Sequence, residues 1–271
     1  MLAIQLPLIL EPAELEQHLG AEWLRVVDLG ARERYARQHI PGAVHLDYNQ
    51  LVAARPPVTG LLPDAAQLSK ALSSIGMIGQ CHVVAYDDEG GAKAARLLWT
   101  LEVIGHPHYS LLNGGLRAWL AENRPISAIP PEVMPSGYRV QQRNGASADK
   151  AYILAHLHDP AVLLLDTRTP AEYSGADRRA ARGGHIPGAV NMEWTQALAD
   201  RATGRLKPEA ELRALFDKLG VTPDKEIITY CQTHHRSSHT YVLLKALGYP
   251  RVRGYPGAWS EWGNDPEVPV E

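Results

Sequence analysis

The sequence predicts an α/β protein made of two duplicated domains, each with a mostly parallel β-sheet flanked by helices. Two observations predict this fold class. Short apolar segments rich in β-branched residues alternate with helical patterns along the 271 residues, which is typical of parallel sheets covered by helices. The hexapeptide His-Ile-Pro-Gly-Ala-Val at residues 39–44 also recurs letter for letter at residues 185–190, and the surrounding repeat is long enough to indicate a duplicated domain.

Further matches around the hexapeptide align the two halves. The matched pairs are Val26-Val27-Asp28 with Leu164-Leu165-Asp166, Tyr35 with Tyr173, residues 83–86 with residues 227–230, and residues 113–119 with residues 256–262. Between the halves, residues 125–137 contain four prolines, a composition typical of a stiff linker. We therefore predict a first domain over residues 1–124, a linker over residues 125–145 and a second domain over residues 146–271.

In the second half, individual elements follow from the pattern of apolar residues. Residues 162–165 and 227–230 are predicted strands, and residues 209–219 form an amphipathic helix. A second helix is predicted over residues 238–248. Because sites in parallel sheets form beyond the carboxyl ends of strands, Cys231 lies where a functional residue is expected.

Cys231 is the strongest candidate for a reactive side chain. It lies between a strand end and a helix start, close to unpaired backbone N–H groups and to the positive end of the helix dipole. Arg236 and the neighbouring His234 and His235 add to the positive character of the loop, and all these effects favour thiolate over thiol. The segment is therefore a nucleophile, an anion site or both, and Ser237 and Ser238 are expected to cap the helix.

The first half lacks this nucleophile. If Tyr86 matches Tyr230, then Asp87 stands in the position of Cys231, within the acidic run Asp87-Asp88-Glu89. Like charges would oppose the binding of an anion there. The first domain is therefore predicted to be a structural partner, and Cys81, which lies before its strand, is interpreted as a packing residue.

Composition excludes several classes of function. The formal net charge of −3 provides no general attraction for nucleic acid or anionic membrane, and no apolar run approaches the ~20 residues of a membrane span. The first seven residues carry no Lys or Arg, so a signal peptide is not expected and a cytoplasmic location is predicted. The two cysteines, one in each half, are expected to be reduced.

An insertion distinguishes the second half from the first. Three residues separate Tyr35 from His39, whereas eleven separate Tyr173 from His185. The extra segment contains Arg178, Arg179 and Arg182. Arginine holds oxyanions through forked hydrogen bonds, so this segment either faces the site or forms a solvated surface loop.

The order and spacing of these motifs resemble the rhodanese family of sulfurtransferases in its tandem-domain form, over nearly the whole chain. The resemblance rests on the two hexapeptides, the strand-Cys-loop-helix segment at residues 230–238, the Gly-containing turns before Trp119 and Trp259, and a loop Cys in the second half only. The loop Cys-Gln-Thr-His-His-Arg further resembles that of bacterial thiosulfate:cyanide sulfurtransferases. The resemblance implies two rhodanese-like domains and transfer of sulfane sulfur from thiosulfate to cyanide or a thiol acceptor, which could be a protein, through a persulfide on Cys231. It implies no further cofactor and no metal.

The resemblance also implies roles for site residues. Arg236 would hold thiosulfate or the departing sulfite, and the substrate pocket would be lined by Gln232, Thr233, His234 and His235. Arg178 matches the spacing of a second substrate arginine in mercaptopyruvate-type relatives. Many relatives carry a substrate-contacting Arg just before the aromatic residue, where this chain has Glu172, so that contact is not transferred.

Other readings remain open at the level of sequence. The donor could be 3-mercaptopyruvate. A Cys-dependent phosphatase or arsenate reductase also uses a Cys, a loop of amides and an Arg, but with five intervening residues where this loop has four. A non-catalytic binding module is a third reading. A metal site is not expected, because adjacent histidines point apart in most backbones.

Four residues around the repeats and one tryptophan have simpler interpretations. The histidines of the hexapeptides, His39 and His185, occur in both halves and are interpreted as structural. Asp28 and Asp166 are expected to anchor loops by hydrogen bonds. Trp194 lies either in the wall of the pocket or in the core.

Overall fold

The computed structural model describes residues 6–141 and 144–271. The first five residues, on which part of the predicted location rests, and Gln142 and Arg143 of the predicted linker lie outside the described residues. The chain forms two compact units. The second unit contains Val52–Leu62, Asn144–Ala199 and Lys207–Glu271, so a short segment of the first half of the sequence packs with the second half. In exchange, Asp200–Leu206 belongs to the first unit.

The strands, in chain order, are β1 Ile9–Leu10, β2 Leu24–Asp28, β3 Val44–His45, β4 Ala53–Arg55, β5 Val58–Leu61, β6 His82–Tyr86, β7 Tyr109–Leu112, β8 Val162–Asp166, β9 Val190–Asn191, β10 Glu226–Tyr230 and β11 Val252–Gly254. The helices are α1 Pro12–Glu16, α2 Arg32–Arg37, α3 Ala65–Ser74, α4 Ala92–Val103, α5 Gly115–Ala121, α6 Lys150–Ala155, α7 Pro170–Tyr173, α8 Glu209–Asp217, α9 Arg236–Ala246 and α10 Ala258–Trp262. Short 3₁₀ turns cover Tyr48–Leu51, Asn144–Ala146 and Trp194–Ala197.

Each unit is organised around a parallel sheet. In the described part of the first unit the strand order is β1-β7-β6-β2-β3, and in that of the second it is β11-β10-β8-β9. The central strand β6 is buried along its whole length, and β10 is buried from its second residue on, as expected when helices cover both faces of a sheet. The predicted α/β class is confirmed.

The predicted elements agree with the observed ones except at their ends. Strand β10 begins one residue earlier than predicted and β8 ends one residue later. Helix α8 ends at Asp217 rather than at residue 219. Helix α9 begins at Arg236, two residues before the predicted start, because the loop after Cys231 turns into the helix within four residues.

The repeated sequence motifs make the same contacts in both units. The hydroxyl of Tyr86 accepts from the N–H of Ile40, and that of Tyr230 accepts from Ile186. The two hexapeptides are thereby tied to the equivalent strands β6 and β10. Equivalent residues fill the two cores, among them Val26 and Leu164, Val84 and Ile228, and Trp119 and Trp262.

The hexapeptide histidines are structural, as predicted. His39 stacks on Tyr35 with ring centroids 4.1 Å apart, and its Nδ1–H donates to the Tyr35 carbonyl. His185 stacks on Tyr173 at 3.6 Å and donates to the Tyr173 carbonyl. These histidines fix the turn into the hexapeptide in each unit.

The loop-anchoring role of the strand-end aspartates is also confirmed. Asp28 accepts from the backbone N–H of Gly30, and Asp166 accepts from that of Arg168. Each carboxylate is also paired with an arginine, Arg34 for Asp28 and Arg168 for Asp166. Both aspartates are fully buried, so the ion pairs keep their charge neutralised.

Strands β4 and β5 form a separate antiparallel hairpin within the second unit. The N–H of Thr59 donates to the hydroxyl of Ser260 at 3.1 Å, and that hydroxyl lies 2.8 Å from the Thr59 carbonyl oxygen. The hairpin therefore packs against helix α10. Among the described residues, no helix has the length and apolar character required to cross a membrane.

Candidate active site

Cys231 follows β10 directly and is buried, with about 1% of its surface exposed. The segment from Gln232 to His235 curls back so that helix α9 begins at Arg236. The sulfur therefore lies beside the first turn of an 11-residue helix, where backbone N–H groups and the helix dipole favour negative charge.

Several groups lower the pKa of Cys231 below the ordinary thiol value. Burial alone would raise the pKa, but the positive charge of Arg236 outweighs it together with hydrogen bonds from the Ser237 hydroxyl and from the backbone N–H groups of Ser237 and Thr233. The described geometry therefore stabilises a thiolate, and a thiolate is the nucleophilic form of cysteine.

His234 contacts Ser237, one of the residues that donate to the Cys231 sulfur. Its backbone is left-handed, with φ of +53°, and its side chain is fully buried. Nδ1 lies 2.7 Å from the Ser237 hydroxyl oxygen. The same hydroxyl also makes a hydrogen bond with the Cys231 sulfur, so Ser237 lies between the His234 ring and the sulfur. His234 therefore orients Ser237 and does not line an open pocket.

The expectation that Ser237 and Ser238 cap helix α9 is wrong. The capping position is His235, whose side chain makes no capping hydrogen bond. Both serines lie inside the helix, and the Ser238 hydroxyl donates to the carbonyl of His234. The loop is tighter than the sequence suggested, so Ser237 serves the sulfur instead of the helix end.

Glu172, to which no substrate contact is transferred from the family, forms an ion pair with Arg236. Its carboxylate accepts two hydrogen bonds from Arg236, Nη1 at 2.6 Å and Nη2 at 2.7 Å, and its side chain is fully buried. Burial would raise the pKa of Glu172, but the hydrogen bonds and charge of Arg236 lower it from 4.5 to about 2. The guanidinium of Arg236 thus bridges Glu172 and Cys231, which limits how it can face a donor anion.

The remaining predicted loop residues are partly exposed. Gln232, Thr233 and His235 are each half-buried. The Nε2 of Gln232 donates to the carbonyl of Arg179 at 3.1 Å, which ties the loop to the inserted segment. These three side chains therefore border the exposed side of the Cys231 loop.

The inserted arginines play different parts. Arg178, the tentative substrate residue, is exposed, and its Nε donates to the carbonyl of Ala180 in its own loop. Arg179 lies 3.7 Å from the Glu172 carboxylate and pairs with Asp177. Arg182 donates to backbone carbonyls of Trp262, Asp265 and Val268. The structure therefore brings Arg179, rather than Arg178, to the Glu172–Arg236 pair.

The carbonyl side of the loop is held by helix α10. The N–H of Trp259 donates to the carbonyl of Cys231 at 3.0 Å, and that of Ser260 donates to the carbonyl of Gln232 at 3.0 Å. The guanidinium of the buried Arg168 lies 4.4 Å from the Trp259 ring, a cation–π contact. The loop is thus held through its carbonyl groups, while the N–H groups of Thr233 and Ser237 donate to the sulfur.

The equivalent loop of the first unit holds its own anion. The carboxylate of Asp87 is fully buried and accepts four backbone N–H groups at 2.8–3.0 Å, from Glu89, Gly91, Lys93 and Ala94. Glu89 and Lys93 correspond to Thr233 and Ser237, which donate to the Cys231 sulfur. Both loops form the same anion cradle, and Asp87 occupies the one in the first unit.

Three further predictions concern Trp194, a metal site and Cys81. The ring of Trp194 contacts that of the buried His239, which lies on helix α9, in an edge-to-face arrangement with ring centroids 5.2 Å apart. Within residues 6–141 and 144–271, no group of three or more His, Cys, Asp or Glu side chains is arranged to hold a metal ion. Cys81 is buried and its sulfur contacts the Ile78 carbonyl, while burial raises its pKa, in line with a packing role.

The sequence did not indicate the parts that Glu172 and Ser237 play at the loop, and it left open whether the inserted Arg179 faces the site. A local signal existed for Glu172, because Thr169-Pro170-Ala171-Glu172 is a capping box with Pro at the first helical position. It predicts the helix start but not the long-range pair with Arg236.

Comparison with protein families gives two matches to the rhodanese-like domain, over residues 11–122 and 149–265. The chain is similar to proteins named thiosulfate sulfurtransferase from Azotobacter vinelandii, with 46% identity, and from Pseudomonas aeruginosa, with 45% identity. Both alignments cover 98% of this chain and 97% of the relative. A protein named sulfur carrier protein TtuD from Thermus thermophilus is 35% identical, over 94% of this chain and 93% of that one.

Solved structures show the same architecture. The structure of YnjE superposes with a TM-score of 0.85 at 24% identity, covering 97% of this chain and 68% of that chain. A variant of EanB, in complex with ergothioneine covalently linked to a cysteine persulfide, matches with a TM-score of 0.82 at 27% identity. That match covers 92% of this chain and 64% of the longer EanB chain.

Proposed function

Because the chain belongs to the rhodanese family, we propose that it transfers sulfane sulfur from thiosulfate to a thiophilic acceptor, with Cys231 as the covalent carrier. One observation carries the proposal. The buried Cys231 has a lowered pKa and is surrounded by donors from Thr233, Arg236 and Ser237. These donors suit a sulfur that bears negative charge both before and after it receives a second sulfur.

In the first half-reaction, the Cys231 thiolate attacks the outer sulfur of thiosulfate. A bond forms between the two sulfurs, and the bond between the outer sulfur and the sulfonate sulfur breaks. Sulfite departs with the bonding electron pair, and Cys231 is left as a persulfide anion. The hydrogen bonds of the loop stabilise the charge on that terminal sulfur.

In the second half-reaction, the acceptor attacks the terminal sulfur and the Cys231 thiolate is released. With cyanide the product is thiocyanate, and with a thiolate it is a new persulfide. No metal or organic cofactor takes part in either step. The relative named as a sulfur carrier protein and the EanB persulfide complex support an acceptor other than cyanide.

The Glu172–Arg236 pair defines the role of Arg236. Two of its nitrogens donate to Glu172, and its guanidinium also makes a hydrogen bond to the Cys231 sulfur. We assign to Arg236 the task of holding the thiolate and the persulfide, in addition to the contact with sulfite that the family resemblance implies. We also propose that Gln232, Thr233 and His235, which are half-buried, contact the donor, as the family resemblance implies.

The test is turnover with two donors. Sulfite release and thiocyanate formation are measured with thiosulfate and cyanide. Pyruvate and thiocyanate formation are measured in parallel with 3-mercaptopyruvate as donor. Turnover with thiosulfate, abolished in Cys231→Ser, is the expected result. Turnover with mercaptopyruvate alone would support the persulfide on Cys231 but overturn thiosulfate as the donor. Hydrolysis of a phosphate ester that depends on Cys231, without sulfur transfer, would overturn the proposal.

A further inference from the structure

The hairpin β4–β5 contacts the Cys231 loop directly. Gly60, in β5, is buried with φ of +80°, and a Cβ at this position would lie 2.4 Å from the carbonyl oxygen of Thr233. The same Cβ would lie 2.6 Å from the Cβ and 2.8 Å from the Cα of Thr233. Two of these three atoms are backbone atoms, so the contact cannot be relieved by turning a side chain.

Thr233 links the hairpin to the hydrogen bonds around the Cys231 sulfur. Its N–H donates to the Cys231 sulfur, while Gly60 packs against its Cα and its carbonyl. The hairpin is held in place by Ser260, whose hydroxyl is bonded to Thr59 and whose N–H donates to the carbonyl of Gln232. Ser260 of helix α10 thus connects the hairpin with the loop.

We propose that Gly60 is a positioning residue for the reaction: the hairpin β4–β5 supports the outer side of the Cys231 loop and keeps the Thr233 N–H directed at the sulfur. The first half of the sequence, whose own loop lacks a nucleophile, thereby contributes to the reactive loop of the second unit. Only glycine allows this close approach, because any Cβ would displace the Thr233 peptide.

The test compares Gly60→Ala with Gly248→Ala. Both glycines belong to the second unit and have nearly the same backbone, φ of +80° and +83°. A Cβ at Gly248 would meet no atom within 4 Å, so this variant carries the backbone strain without the displacement of a neighbour. Any difference between the two variants therefore reports the contact with Thr233.

The first readout is the pH dependence of alkylation of Cys231 by iodoacetamide, with peptide mapping to separate it from Cys81. We expect Gly60→Ala to raise the pKa of Cys231, because the Thr233 N–H no longer points at the sulfur. Gly248→Ala should leave the profile unchanged. The second readout is sulfur transfer, which should fall at least about tenfold in kcat for Gly60→Ala and stay unchanged for the control, since small misplacements of reacting groups lower rates strongly.

If Gly60→Ala does not fold, Ser260→Ala provides the same test without added atoms, because it removes the hydroxyl bonded to Thr59 and keeps the N–H bonded to Gln232. A shift of the alkylation profile in the same direction is expected. Identical profiles and kcat values for the Gly60 and Gly248 variants, or an unchanged profile for Ser260→Ala where Gly60→Ala does not fold, would overturn the proposal. The kcat readout rests on the proposed function, whereas alkylation does not. Absence of sulfur transfer in the unaltered protein would therefore refute only the function.

Discussion

Replacement of Glu172 by Gln tests the ion pair beneath the reactive loop. The carboxylate is buried against Arg236, and its pKa is lowered from 4.5 to about 2. At about 1.4 kcal/mol per pH unit, this difference corresponds to roughly 3–4 kcal/mol of stability at neutral pH. Because the folded-state pKa is the lower one, this stability is present above about pH 4.5 and is lost as the pH falls toward 2.

The assay is urea unfolding of the unaltered protein and of Glu172→Gln at a series of pH values from neutral to acidic. We expect a deficit of about 3–4 kcal/mol at neutral pH that shrinks steadily below pH 4.5, while the titration of other carboxylates cancels in the difference. Glu209→Gln, which removes an exposed i,i+4 pair with Arg213, is the matched control and should change stability by less than about 0.5 kcal/mol at any pH. A Glu172→Gln deficit that does not vary with pH would refute the assignment of the lowered pKa to the ion pair.

Two further predictions concern the cradles. Ser237→Ala removes a hydrogen bond that lowers the pKa of Cys231, so the alkylation profile of Cys231 should move to higher pH, and an unchanged profile would exclude Ser237 from the cradle. The same change removes a hydrogen-bond partner of the buried His234 ring, so the protein should also lose about 1–3 kcal/mol of stability in urea unfolding. Asp87→Ala leaves four backbone N–H groups without their acceptor and should destabilise the first unit by about 3 kcal/mol or more, with a smaller loss for Asp87→Asn, as measured by urea unfolding. The kcat for sulfur transfer should not change, and equal stability of all three proteins would contradict the cradle description.

Local sequence patterns were sufficient to predict much of the fold. The apolar runs of β8 and β10 and the stripe of α8 depend on neighbours in the chain, and the duplicated hexapeptide established the correspondence between halves. Equivalent residues make the same contacts in both units, as seen for His39 and His185 and for Tyr86 and Tyr230, because each hexapeptide packs against the equivalent helix and strand.

The details of the site depend on contacts between residues distant in sequence. Glu172 meets Arg236 across 64 positions, and Gly60 meets Thr233 through a hairpin that packs with the other half of the chain. The role of Ser237 depends on the tight turn at His234, where a non-glycine residue adopts a left-handed backbone. No propensity or spacing rule predicts these contacts, since each depends on where the folded chain brings separate segments together.

The most direct test of the central claim is the mass of the protein after incubation with thiosulfate in the absence of an acceptor. We expect the addition of one sulfur atom per chain, located on the peptide that contains Cys231, and its loss on addition of cyanide together with formation of thiocyanate. Cys231→Ser should gain no sulfur. A sulfur atom located on Cys81, or sulfite release that persists in Cys231→Ser, would contradict the account.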